Sequence, residues 1–138
     1  MYRFVRYSLP IVLLAVTAPA SADVAVIVHP TNQSTVSDTD IKNFYLGRQK
    51  TFSSGETAIL LSLEEGDSNR SEFNNKVLGK TDAQLKAFWS KVLFTGKGTP
   101  PKDISHEEML KLVATNPNMI GFVDASAVTP DVKVIAKY

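Results

Sequence analysis

Four consecutive polar residues, Ser68, Asn69, Arg70 and Ser71, lie between an apolar stretch and the start of a helical pattern. The first turn of a helix carries unpaired backbone N–H groups and partial positive charge, so hydroxyls and an arginine placed there can bind an oxyanion. The alternative is that Asp67 or Ser68 is an ordinary helix cap with no ligand. The residue types alone leave both interpretations open.

The rest of the chain offers few groups suited to catalysis. It has two histidines and no cysteine, and His29 and His106 occupy positions typical of local surface or capping residues. No nucleophile-elbow sequence surrounds its serines. One cluster of carboxylates lacks the alternating spacing of a calcium loop and is typical of a solvated turn: Glu64, Glu65 and Asp67. The sequence therefore predicts no enzyme, no catalytic residue, no metal site and no cofactor.

A strand and a helix must position the polar residues. Ala58–Leu63 is a short apolar run bounded by turn residues, which is typical of a buried strand. After it, Phe73, Val77 and Leu78 recur at helical spacing, and Gly79 is suited to a left-handed helix end. The pattern is strand, tight turn, helix.

The remaining patterns predict further strands and helices around this unit. Helix-start signals occur at Ser37, Thr81 and Ser105, and an apolar stripe on the second of these helices includes Leu85, Phe88, Trp89, Val92 and Leu93. Two glycines and two prolines predict an irregular loop over 94–101. Strands are predicted at Val24–Val28, Ala58–Leu63, Met119–Val123 and Val132–Ile135. This order predicts an α/β fold, a single-domain sandwich with a central mixed sheet flanked by helices on both faces.

The first 22 residues have the pattern of a secretory signal peptide, with a basic start at Arg3 and Arg6, an apolar stretch, and a small-residue cleavage site. Residues 23–138 are then the mature domain, and the predicted location is the periplasm. Loss of the two arginines lowers the Lys and Arg count from 15 to 13 against 14 acids, so the net charge changes from +1 to −1. This balance argues against a nucleic-acid partner, and no later stretch is apolar enough to span a membrane.

Several stretches together resemble a known family. They are Ser37–Gly47 (SDTDIKNFYLG), Leu61–Phe73 (LSLEEGDSNRSEF), Phe88–Pro101 (FWSKVLFTGKGTPP) and Met119–Val123 (MIGFV). In this order they resemble the type 2 periplasmic solute-binding proteins, and among them the phosphate-binding proteins of phosphate ABC transporters. The resemblance implies that Ser68 takes the place of the family's anion-binding serine and that Arg70 lies close to its arginine. The family's Ser-Gly-Thr is replaced here by Ser68-Asn69-Arg70, and the mature chain is long enough for one lobe of these two-lobed proteins.

Two functions follow as hypotheses. The first is a periplasmic module that binds phosphate or a related oxyanion, linked to phosphate uptake or sensing. Its ligand-binding residues would be Ser68, Asn69, Arg70 and Ser71, with Thr31 and Asn32 on the loop after the first strand as a second wall. The second is an envelope interaction or sensory module that kept the fold without ligand binding, with an envelope protein or a second copy of itself as partner.

We predict that the secreted protein starts at Asp23 and is recovered from the periplasm without lipid, because the chain has no cysteine for lipid attachment. The intact mass of the secreted form measures this. A membrane-bound product that retains residues 1–22 would contradict the prediction and indicate a tethered protein.

Overall fold

A computed structural model of the chain describes residues 23–138, and the predicted signal peptide, residues 1–22, lies outside the described residues. Within the described part, no helix has the length and apolar character needed to cross a lipid bilayer. The strands are β1 (Val24–Val28), β2 (Ile59–Leu63), β3 (Lys102–Ile104), β4 (Met119–Asp124) and β5 (Lys133–Lys137). The helices are α1 (Asp38–Tyr45), α2 (Ser68–Phe73), α3 (Asp82–Thr95) and α4 (His106–Thr115). A π-helical turn, Asn74–Leu78, continues α2, and a 3₁₀ turn, Ala125–Ala127, follows β4.

The five strands form one mixed sheet in the order β3-β2-β4-β1-β5. β2 is parallel to both β3 and β4, whereas β1 is antiparallel to both β4 and β5. Helices separate most of the strands along the chain, as parallel neighbours require. The predicted α/β fold class with a central mixed sheet is confirmed.

Local capping signals explain where the helices begin. The side chains of Ser37 and Thr81 each accept a hydrogen bond from the backbone N–H of the third residue of the helix, and the backbone N–H of each cap donates to that residue's side chain, which completes two capping boxes. Ser105 caps α4 with the first of these two bonds, in which the side chain of the cap accepts from a backbone N–H of the helix. Asp67, rather than Ser68, caps α2. These short-range contacts stabilise helix ends whatever the tertiary surroundings, which is why the sequence indicates them well.

Three details differ from the sequence prediction. β3 was not predicted, because Lys102–Ile104 has no apolar alternation and becomes a strand only by pairing with Leu61–Leu63. α3 runs on to Thr95 and ends at Gly96 in the left-handed conformation, so the predicted loop starts two residues later than residue 94. Leu93, predicted to lie on the inward stripe of α3, is 53% exposed.

The core lies on both faces of the sheet. All five residues of β1 are buried, as expected for a central strand covered by helices on each side. On one face Phe122 of β4 stacks on Phe73 of α2 with ring centroids 4.0 Å apart. The preceding residue of β4, Gly121, faces α4, where Met109 fills the space that a side chain would need. A glycine at this point therefore allows α4 to pack directly on the sheet.

A buried tyrosine links the two halves of the sheet. β2 and β4 share only two paired positions, Ile59 with Met119 and Leu60 with Ile120. The hydroxyl of Tyr45, at the end of α1, donates to the carbonyl of Leu61 at 2.8 Å and also lies 3.3 Å from the carbonyl of Ile120. Burial raises the pKa of this phenol well above its usual value, so it stays a neutral donor.

The start of β1 and the last residue of the chain pair with each other. Val24 and Tyr138 exchange two backbone hydrogen bonds of 2.9 Å. The Tyr138 hydroxyl donates to Asp38 at 2.6 Å, which fixes the chain end against the start of α1. The pKa of this phenol is raised by partial burial and by the neighbouring carboxylate.

We predict that Trp89→Ala lowers the free energy of unfolding by about 3–5 kcal/mol, because this side chain is only 7% exposed and leaves a large cavity when truncated. Phe94, on the same helix and 94% exposed, provides the matched control. Phe94→Ala should change the free energy by less than ~0.5 kcal/mol. Urea unfolding of both variants measures the difference, and equal effects would contradict the packing described here.

Candidate functional site

Polar side chains from three parts of the chain meet where the parallel strands end. Asp67 follows β2, His106 follows β3, and Asp124 is the last residue of β4. Because β2, β3 and β4 are parallel, their carboxyl ends lie at one edge of the sheet. Open α/β sheets commonly bind ligands at this edge. These residues therefore form the candidate site.

Asp67 is the centre of the site. One of its carboxylate oxygens, Oδ1, accepts from the backbone N–H of Asn69 at 2.8 Å and of Arg70 at 3.3 Å. The other, Oδ2, lies 2.9 Å from Nε2 of His106. The positive end of α2 thus holds a carboxylate that belongs to the chain itself.

Arg70 extends towards β3 and not towards the start of its own helix. Its Nη1 donates to the carbonyl of Leu63 at 3.0 Å and forms an ion pair with Asp103 at 3.1 Å. Its Nε is buried and has no hydrogen-bond partner among the described residues. The guanidinium therefore joins α2 to the two strands beside it, and an additional contact to an anion at the helix start would require it to turn back.

The other predicted residues of this turn have different surroundings. Ser68 is exposed. The hydroxyl of Ser71 donates to Asp82 at 2.5 Å and so faces the start of α3. Asn69 is only 4% exposed, and its Nδ2 lacks a partner with hydrogen-bond geometry among the described residues. Ser68 thus keeps an accessible hydroxyl, Asn69 has a buried amide, and Ser71 serves a contact within the fold.

Asp124 is held in its charged form. Ser126 donates to it through its hydroxyl at 2.6 Å and its backbone N–H at 2.9 Å. These bonds, the nearby amide of Asn69 and the charge of His106 lower the pKa of Asp124 from 3.8 to about 2. Asn69 thus contributes through proximity although its Nδ2 lacks the geometry of a good hydrogen bond. A second carboxylate therefore lies at the same edge as Asp67.

Thr31 and Asn32 lie at the opposite end of the sheet. β1 is antiparallel to β4, so the loop that follows β1 lies where β2 and β4 begin. Asn32 accordingly approaches the carbonyl of Pro117, two residues before β4, at 3.5 Å. The prediction that these two residues form a second wall beside Ser68 is wrong, because the direction of β1 takes them away. Ligand binding by either group of residues stays a prediction.

Two members of the site were missed because their roles depend on distant parts of the chain. His106 lies in the first turn of a helix, as the sequence indicated, but its contact with Asp67 joins residues 39 positions apart. Asp103 belongs to the strand that was not predicted. Asp103 precedes His106 by three residues, and His106 is at a helix start. In the sequence this spacing is a weak signal of a site, and it becomes informative only when the strand order is known.

Comparison with solved structures identifies the fold. An ABC-type phosphate transport receptor from Vibrio cholerae superposes with a TM-score of 0.65 at 18% sequence identity, covering 83% of this chain and 46% of the receptor. The chain shares the fold of this receptor. A putative phosphate ABC transporter substrate-binding protein from Clostridium perfringens, solved with bound phosphate, gives 0.62 at 21% identity, with 83% and 45% coverage.

The likeness to phosphate-transport receptors is one of fold. The chain spans less than half the length of both receptors, which agrees with the short form that the sequence motifs implied. No protein-family profile and no curated protein matches the chain.

We predict a pH-dependent cost for Asp124→Asn. The folded-state pKa of about 2 lies below the ordinary 3.8, so the charged carboxylate stabilises the fold at neutral pH, and this contribution is lost as the pH falls from about 4 to 2. The variant should therefore be less stable than wild type at pH 6, and the difference should shrink towards pH 2.

Thermal unfolding across this pH range measures the effect. Asp131→Asn, at an exposed position outside the site, is the control. A cost for Asp124→Asn that stays constant down to pH 2 would show that the charge of Asp124 is not responsible.

Proposed function

We propose that the protein is a periplasmic, non-catalytic module that binds phosphate or a related oxyanion at the start of α2. The shared fold with phosphate-transport receptors supports this assignment. The position of the site supports it as well, because the turn from Gly66 to Ser71 lies at the carboxyl edge of the parallel strands.

The observation that carries the proposal is the set of donors around Asp67. Two backbone N–H groups and an imidazole nitrogen converge on one carboxylate. Donors in this arrangement favour a negatively charged oxygen, and they hold the side chain's own carboxylate in the place that an external oxyanion would take. An oxyanion that enters must displace Asp67 or share its donors, with the exposed Ser68 beside them. Affinity is therefore expected to be roughly millimolar, about −4 kcal/mol.

A binding role also suits the histidine better than catalysis does. His106 Nε2 contacts Asp67, and no serine or threonine hydroxyl bonds to its other ring nitrogen among the described residues. A nucleophile, a base and an orienting acid would have to lie in one chain of hydrogen bonds for acyl-transfer chemistry.

A second candidate is an envelope interaction module without a ligand. It is favoured by the internal pairing of the site, in which Asp67 and Asp103 already engage the donors of α2 and Arg70. In this case the same contacts would serve only to fix α2, α4 and β3 to one another.

Asp67→Asn distinguishes the two functions. Asparagine keeps an oxygen for the helix cap but removes the competing negative charge, so phosphate should bind about tenfold tighter than to wild type, a change of ~1.4 kcal/mol. Titration of phosphate against backbone amide resonances measures the affinity and the location. The changes in amide chemical shift on adding phosphate should centre on residues 66–71, and they should be smaller in Ser68→Ala.

Asn32→Ala, at the opposite end of the sheet, is the matched control and should leave the titration unchanged. The melting temperature in phosphate provides a second measurement, because any ligand that binds only the native state raises it. If neither wild type nor Asp67→Asn responds to phosphate or sulfate, oxyanion binding is excluded and the interaction module is supported.

A further inference from the structure

Three large apolar side chains are exposed among the described residues, and two of them line adjoining clefts. Ile59 is 41% exposed, Leu93 53% and Phe94 94%. Ile59 lines a groove with Gly98, Thr99 and Pro100, and Leu93 lines an adjoining cleft with Pro100 and Pro101. The loop between α3 and β3 is common to both. Single exposed apolar residues are ordinary, but a cluster of them indicates an interaction surface.

The same part of the chain is strongly basic. From Ala83 to Lys102 the sequence contains four lysines and no Asp or Glu. Lys86 pairs with Glu65, and the other three lysines are exposed with no carboxylate within salt-bridge distance among the described residues. Lys50, also exposed and without such a partner, lines the same groove as Lys102. We call the set formed by Lys50, Ile59, Lys91, Leu93, Phe94, Lys97 and Lys102 the basic apolar surface.

The shape and charge of this surface fit a lipid bilayer with anionic headgroups. Phe94 is almost completely exposed, so it projects from the end of α3 and does not line a groove. Lys91, one helical turn before Phe94, and Lys97, three residues after it, flank the aromatic ring on the chain. Peripheral proteins often bind membranes in this way. An apolar tip lies at the boundary of headgroups and acyl chains, and the lysines that flank it reach lipid phosphates.

We propose that the basic apolar surface docks the protein reversibly on anionic membranes. Each contribution is weak: a few apolar side chains or four lysines alone give little affinity, and stable attachment requires both. The binding should accordingly weaken with salt, since the lysine contribution is screened within about 10 Å at 0.1 M ionic strength.

Docking by this surface would leave the part of the candidate site around Asp67 and His106 accessible. Ile59 and Lys102 are the first residues of β2 and β3, whereas Asp67 and His106 follow the ends of these strands. Ile59 and Lys102 therefore lie at the opposite end of these strands from Asp67 and His106, whereas Leu93 lines the same cleft as Arg70 and Asp103. The proposal is independent of phosphate binding, and it can be tested in phosphate-free buffer.

Vesicle flotation tests the proposal. The mature protein is mixed with vesicles of phosphatidylglycerol and phosphatidylcholine in equal parts, or of phosphatidylcholine alone. Wild type should float with the anionic vesicles only. Leu93→Ser/Phe94→Ser should lower the partition coefficient roughly tenfold, and Lys91→Glu/Lys97→Glu should lower it by a similar factor.

Lys111→Glu/Lys137→Glu is the matched control, because it changes the net charge equally at two exposed lysines outside the surface. It should bind the anionic vesicles like wild type to within about twofold. Melting temperatures of all variants verify folding. Should the secreted form retain residues 1–22, all variants carry the same N terminus, and the comparison between them is unchanged.

Four results would overturn the proposal. The first is that wild type does not float with anionic vesicles, and the second is that the control loses as much binding as Lys91→Glu/Lys97→Glu. The third is that Leu93→Ser/Phe94→Ser binds like wild type, which would reduce the effect to non-specific charge attraction. Finally, size-exclusion chromatography could reveal a dimer that depends on Leu93 and Phe94 and does not bind vesicles, which would make a second copy the occupant.

Discussion

The contact on which the architecture depends most is the buried hydroxyl of Tyr45 between two parallel strands. The β3-β2 pair and the β4-β1-β5 group are joined only through β2 and β4, which share two paired positions. Tyr45 comes from α1, outside the sheet, and its ring packs edge-on against Phe73 and Phe122 while its hydroxyl satisfies the strand carbonyls. One side chain thus links α1, α2 and both parts of the sheet. The two strands that it joins are those that lead to Asp67 and Asp124 of the candidate site.

Each basic side chain of the candidate site has an acidic neighbour. Asp67 accepts from the start of α2 and from His106, and Asp103 pairs with Arg70. Partly buried donors without such neighbours would carry a desolvation cost, so the carboxylates stabilise the turn whether or not a ligand is present. The same carboxylates oppose an incoming anion. The aspartate at position 67 therefore stabilises the turn and at the same time lowers the affinity of the turn for an oxyanion.

The basic apolar surface has the opposite character. Its lysines form no ion pair among the described residues, and Ile59, Leu93 and Phe94 are exposed. Nothing in the packing of α3 requires Phe94 to be aromatic, because the helix is anchored through Leu85 and Trp89. An exposed aromatic residue that contributes little to the fold is more readily explained by a contact outside the chain.

Sequence reasoning predicted the elements whose signals are local and missed the features that depend on strand order. The caps at Ser37, Thr81 and Ser105 and the apolar run of β1 lie within a few residues of the structures they specify. β3 has no signal of its own, because three residues after two prolines become a strand only beside β2.

The candidate site shows the same difference between features with local signals and features that depend on strand order. The turn at residues 66–71 was found from its own residues, but the positions of Thr31 and Asn32 depended on the antiparallel direction of β1, which no local pattern encodes. The direction of Arg70 likewise depended on Asp103, a residue of the unpredicted strand.

The pairing of Val24 with Tyr138 has a consequence for how such a unit can be combined with others. Two chain positions that share a pair of backbone hydrogen bonds are neighbours in space, so the described fold begins and ends at one point of its surface. A polypeptide could enter and leave the unit there without rearranging the sheet, which is the geometry of an insertion into a host loop. It also makes circular permutation feasible: a short linker could join the two ends, and an exposed turn such as Ser53-Ser54-Gly55 could supply the new termini.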